Sequence, residues 1–140
     1  MDLIELYNCI ERNGIDLDWF SMQKAKPLSM PLPDGRYGIA IDPWKMESVE
    51  DELCCAAHEF GHCLAGSFYN RYAACDVRQK HENRADRKAI GLLIPKNELE
   101  NAVSRGYTEP SALPEFFGVT EGFMKKAMQF YRDGYLAVEG

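Results

Sequence analysis

The stretch His58-Glu59-Phe60-Gly61-His62 reads HExxH. Imidazole nitrogens are good ligands for a divalent cation, and a neighbouring carboxylate can take a proton from a metal-activated water. At about 3.6 residues per turn, His58 and His62 share one face of a helix, so both rings can converge on one Zn²⁺ with Glu59 beside them as general base. A catalytic zinc typically has three protein ligands plus water, so two histidines leave the set open. The segment from His81 to Pro95 offers Glu82 as the third ligand. Asp86, four residues further on, lies on the same helical face. Asp86 can accept a hydrogen bond from the far ring nitrogen of a ligating histidine, fixing its tautomer and raising its basicity. Read alone, a stretch with Arg78, Lys80, Arg84, Arg87 and Lys88 is an ordinary solvated helix carrying Glu–Arg pairs. The completed ligand count favours the metal reading. Zinc follows from two histidines and a glutamate, although manganese or iron fits the same donors.

Helices must position these groups. Ser48 is a good N-cap, Asp51 resembles the far half of a capping box, and Glu50, Asp51 and Glu52 sit where the helix dipole favours negative charge. The spacing predicts a helix from about 49 to 67, with Val49, Leu53, Ala56, Ala57, Phe60 and Leu64 as its apolar side. A second helix is expected from Arg78 to Leu93, stopped at Ile94-Pro95 because the residue before proline is pushed out of the α region. Upstream, Leu3, Ile4, Leu6, Tyr7 and Ile10 form the stripe of a short amphipathic helix that Asn13-Gly14 breaks. Three prolines interrupt Lys26 to Pro33, Pro33-Asp34-Gly35 is a turn, and Tyr37 to Ile41 alternates as a strand with Tyr37, Ile39 and Ile41 on one face. The residues before the turn can pair with it as a second strand. Pro95 opens a helix to Ser104-Arg105 with Gly106 as its stop. Two more helices follow, Ser111 to Phe117 and one capped by Thr120 that reaches Tyr131 or Arg132.

HEFGH followed by Glu82, Ala85, Asp86, Ala89, Leu92, Leu93 and Pro95 resembles the ImmA/IrrE family of metallopeptidases, in which this segment runs ExxA(N/D)xFAxxLLxP. That family includes anti-repressor proteases of phages and mobile elements and the IrrE radiation-response regulators. Lys88 departs from the pattern, standing where the family has an aromatic or apolar residue, and its stem can still lie along apolar surface. The resemblance spans residues 37 to 131 and is strongest from 53 to 95. It implies an α+β, zincin-like fold of the Glu-ligand (gluzincin) type, mostly helical, with a small twisted sheet packed on the helix that carries His58 and His62. It also implies Zn²⁺ on His58, His62 and Glu82, Glu59 as general base, and a protein substrate, typically a helix-turn-helix repressor. The strand Tyr37 to Ile41 precedes the metal helix, as the cleft-lining edge strand does in zincins. A substrate could add to it as a further strand, or it could be an ordinary core strand.

With 140 residues, the chain is read as a single domain, residues 1–140. An apolar content of 46% supports a packed interior, and a net charge of −6 argues against direct nucleic-acid binding. A helix–break–helix from Ser111 to Tyr131 has the outline of a helix-turn-helix, but Phe123, Met124, Met128, Phe130 and Tyr131 read as core or as a partner-docking face. The first twenty residues lack a cationic, apolar leader, no apolar run approaches the roughly 20 residues needed to cross a bilayer, and Leu136 to Gly140 carries no lipidation signature. A cytoplasmic protein without membrane contact is expected. Five cysteines follow no paired spacing, so reduced and mostly buried thiols are expected. A Cys–His structural site using Cys54 is conceivable, but a small buried apolar role is favoured. His81, Tyr69, Tyr72 and Tyr131 are candidates for a second oxyanion donor by residue type alone, and a structural role is favoured for each. The expected function is a zinc-dependent endopeptidase acting on a regulatory protein. Its alternative is a non-catalytic zinc-binding regulator, an anti-repressor or toxin–antitoxin-like partner that works by binding. Retention of Glu59 favours the enzyme, because a structural zinc has no use for a general base.

Overall fold

A computed structural model describes residues 1–19, 27–69, 72–107 and 112–133. Lys26, Ser111 and the segment Leu136 to Gly140, all read above, lie outside the described residues. The order of elements is α1 (Leu3–Arg12), β1 (Asp16–Trp19), β2 (Leu28–Pro31), β3 (Tyr37–Ile41), a 3₁₀ turn (Pro43–Lys45), α2 (Val49–Ala65), α3 (Cys75–Leu93), α4 (Lys96–Ser104), α5 (Ala112–Phe117) and α6 (Glu121–Arg132). This is the expected α+β, zincin-like architecture, mostly helical around a small sheet.

In α1 a reciprocal capping box joins Asp2 and Glu5, and Leu6 and Ile10 are fully buried. Ile4 is exposed because, at about 100° per residue, it falls off the face shared by Leu3, Leu6, Tyr7 and Ile10. Pro33-Asp34-Gly35 turns as read, with Gly35 at φ +88°. That turn folds β2 antiparallel onto β3, Leu28 opposite Ala40 and Pro31 opposite Tyr37. On its other side β3 pairs in parallel with β1, Asp16 opposite Gly38 and Trp19 opposite Ile41. The sheet order is therefore β1-β3-β2, and β3 is the central strand.

This corrects the edge-strand reading of Tyr37 to Ile41. Both of its flanks are hydrogen-bonded, and Ala40 is buried along with Ile39 and Ile41, so both of its faces are covered. The strand at the cleft is β2. The strand β1 was not expected: Ile15-Asp16-Leu17-Asp18-Trp19 does alternate apolar and polar residues with a period of two, but the strand is only four residues long and half acidic, and aspartate is disfavoured in strands.

The sheet and α1 pack on α2, whose Leu53, Ala56, Ala57 and Phe60 lie in the core. Val49 and Leu64, expected on that face, are exposed near the two ends of the helix. The Ser48 hydroxyl accepts the Asp51 N–H at 3.0 Å, while the Asp51 carboxylate accepts the Glu47 N–H at 3.1 Å, one residue before the cap. Gly66 closes α2 at φ +59°, ending it two residues earlier than expected. α3 begins at Cys75, earlier than Arg78, and ends at Leu93 as read.

Helices α2 and α3 touch closely. A Cβ at Gly61 would lie 2.3 Å from the Ala85 carbonyl oxygen, and Ala85 and Ala89 are fully buried. The last two helices belong to the core through Leu113, Phe117, Phe123, Met124 and Ala127, and the Tyr131 hydroxyl donates to the Ile94 carbonyl at 2.6 Å. Among the described residues, no helix is long and apolar enough to cross a membrane.

Candidate active site

The pairing of α2 with α3 brings the expected groups together. His58 and His62, one turn apart on α2, present rings at 88° to each other with centroids 4.9 Å apart. Glu82 faces them from α3, its Oε2 at 2.9 Å from His58 Nε2 and its Oε1 at 2.9 Å from His62 Nε2. One donor atom from each of the three residues lies within 4.8 Å of the others, a grouping that could hold one ion. No cysteine belongs to that grouping among the described residues.

The remaining ring nitrogens decide whether the donors suit a metal. His58 Nδ1 donates to Asp86 Oδ1 at 2.8 Å, and His62 Nδ1 donates to the Ser67 carbonyl at 2.6 Å. Both acceptors hold the proton on Nδ1, which leaves each Nε2 lone pair free for a cation and turned toward Glu82. Two nitrogens and a carboxylate oxygen from residues that are buried or half-buried form a donor set that zinc accepts. The residues therefore fit a divalent cation.

The electrostatics of the metal-free cluster point the same way. Burial pulls the His58 pKa down, but the hydrogen bonds its ring donates to Asp86 and Glu82 outweigh it and raise it to about 10. His62 is likewise raised, burial being overcome by Glu82 and the Ser67 carbonyl. Glu82 is held well below the usual carboxylate range by its bonds to His58 and His62. Asp86 is also lowered, burial being outweighed by His58 and by the Lys126 ammonium. Without a metal, the acceptors around the rings favour the protonated imidazoles, and a divalent cation at Nε2 would supply positive charge in place of those protons.

Glu59 stands on the cleft side of α2. Burial raises its pKa, partly offset by the Ser29 hydroxyl, which donates to Oε1 at 2.7 Å. Ser29 lies on β2, so the edge strand orients the carboxylate beside the two histidines. A cleft of about 1000 Å³ opens over these groups, flanked by Leu28 and Met30 from β2, by Phe68 and Tyr69, and by Thr120 and Phe123 near the start of α6.

Four contributors escaped the sequence reading. Ser29 and Lys126 reach the site from distant segments and carry no spacing signal, and Ser67, five residues after His62, acts through a backbone carbonyl that its residue type does not announce. Gly61 did carry one, since a mid-helix glycine costs helix propensity and often marks close packing. Of the candidate oxyanion donors, Tyr69 borders the cleft, where burial and the neighbouring Glu82 carboxylate raise its pKa. His81 bonds the Ser67 hydroxyl, Tyr131 bonds Ile94, and Tyr72 lies exposed away from the cleft.

The cysteines are free, with Cys54 and Cys63 buried and Cys75 exposed. Cys54 borders the cleft and accepts a weak bond from the Thr120 hydroxyl. Burial raises its thiol and pushes that of Cys63 up to about 12, so both stay protonated near neutral pH. Lys88 is exposed, beside a shallow depression with Leu64, Arg84 and Leu92, so the departure from the family pattern leaves the core intact.

No curated protein and no solved structure matches the chain. A family model does: the IrrE N-terminal-like domain of the M78 peptidases matches residues 10–129, extending the likeness upstream of residue 37 to take in the end of α1 and strands β1 and β2. By its helices, its small sheet and this match, the chain belongs to the M78 peptidase family, with an IrrE N-terminal-like domain.

Proposed function

We propose that the protein is a zinc-dependent endopeptidase that cuts a helix-turn-helix repressor of a phage or mobile element. One observation carries the reading: His58, His62 and Glu82 converge at the floor of an open cleft, with Glu59 beside them, in a chain of a peptidase family. His58, His62 and Glu82 would hold the zinc. When bound, the cation supplies Lewis acidity, polarising a scissile carbonyl and making a water acidic enough to attack near neutral pH.

Glu59 would accept a proton at its carboxylate as water attacks and hand it to the leaving amide nitrogen. Its burial favours this role, because a carboxylate with a raised pKa is a better proton acceptor. Asp86 and the Ser67 carbonyl keep the two imidazoles in the ligating tautomer. The outer edge of β2, with Leu28 and Met30 exposed, is where an extended substrate segment would lie along the cleft. A repressor as substrate rests on the family resemblance alone.

The test uses the purified protein and the helix-turn-helix repressor encoded beside its gene. Zinc-dependent cleavage is expected, stopped by a chelator. Glu59→Gln should lower it by about 10²-fold or more while zinc stays bound. A repressor bound tightly but left intact by the zinc-loaded wild type would replace the enzyme with the binding regulator.

A further inference from the structure

The last described helix is tied to the metal centre by one ammonium group. Lys126 Nζ on α6 donates to Asp86 Oδ2 at 3.0 Å, and the other oxygen of the same carboxylate accepts from His58 Nδ1 at 2.8 Å. The Asp86 side chain is only 10% exposed, so both of its oxygens depend on protein donors; among the described residues Lys126 serves the second. The contact links positions 40 residues apart, and α6 meanwhile forms one wall of the cleft through Phe123.

From this chain of contacts we infer that Lys126 is a positioning residue: it locks the Asp86 carboxylate against His58, so that seating of α6 and binding of the catalytic cation strengthen each other. The inference rests on the metal reading of His58, His62 and Glu82. Without the ammonium, a buried carboxylate oxygen loses its donor, and the group turns toward water and away from the His58 N–H. His58 is then free to rotate. Groups that hold a ligating histidine in this way typically change metal affinity by about 10–100-fold. Coupling is reciprocal, so whatever factor the contact adds to zinc affinity, zinc adds to the seating of α6.

The experiment measures zinc affinity by chelator competition in wild type, Lys126→Met, Lys126→Arg and His58→Ala. Hydrogen exchange of the α6 amides is followed in the wild type with and without zinc. Methionine keeps the apolar stem and removes the donor, whereas arginine keeps a donor. We expect affinity about tenfold weaker in Lys126→Met, restored in Lys126→Arg, with unchanged far-UV circular dichroism. We also expect zinc to slow α6 exchange in the wild type by a similar factor. Wild-type affinity in Lys126→Met overturns the inference while leaving the metal site standing, provided His58→Ala abolishes binding. Zinc that leaves α6 exchange unchanged overturns it without recourse to any variant. A wild type that takes up no zinc removes the metal reading and this inference together.

Discussion

At the residue scale, His58 is held between Asp86 and Glu82, and His62 between Glu82 and the Ser67 carbonyl, so both environments favour the protonated imidazole in the metal-free chain. The pKa of His58 is raised to about 10, so its contribution to stability is complete below its unfolded value near 6.5 and is lost as pH rises through about 10. Glu82 and Asp86 are lowered, so theirs is present above the ordinary carboxylate range and disappears as pH falls through their folded values. The melting temperature of the metal-free protein should therefore fall between pH 7 and 10 more steeply in wild type than in His58→Gln; parallel profiles would deny the raised histidine. Zinc displaces the Nε2 protons, so its apparent affinity should climb with pH by up to about tenfold per unit for each proton released. Chelator competition from pH 6 to 8 measures this, and a flat profile would mean that the rings bind zinc without losing protons. His58, Glu59, His62, Glu82 and Asp86 were legible because each sits on a helix whose period fixes its neighbours. Ser29 and Lys126 were not, because only tertiary contacts at separations of 30 and 40 residues bring them in.

At the element scale, the site depends on how closely α2 and α3 approach. Gly61 meets the Ala85 carbonyl where a methyl group would have only 2.3 Å, so Gly61→Ala must push α3 outward and carry Glu82 away from the histidines. The expected cost is about 1–3 kcal/mol of stability, as for overpacking elsewhere. Weaker zinc binding should accompany it. Denaturant unfolding and zinc competition measure the two effects, and an unperturbed Gly61→Ala in both would show that the close approach is dispensable. The helices were legible because caps and stops are local: Ser48, Pro95 and Thr120 each act within a turn of their own position. The strands were less so. A strand's place in a sheet is decided by partners far along the chain, which is why β3, read as an edge, proved central, while β1 went unseen because its alternation is short and half acidic.

At the scale of the whole molecule, a cation bridging α2 and α3 adds its binding free energy to folding. With free zinc at about a hundred times Kd, the gain is roughly 2.7 kcal/mol, or on the order of 10 °C in Tm for a domain of this size. Thermal melts with zinc and with chelator read that shift, and coincident melts would mean that zinc does not bind the folded chain. Family, general fold and the convergence of His58, His62 and Glu82 could be read from the sequence, because a helical motif and a carboxylate on the following helix leave a signature, whereas the walls of the cleft are assembled from three separate segments. The most direct test of the central claim is elemental analysis of the purified, zinc-supplied protein beside His58→Ala and Glu82→Ala. About one zinc per chain in the wild type, lost from both variants, is the predicted result. No zinc in the wild type, or zinc that survives either substitution, would contradict it.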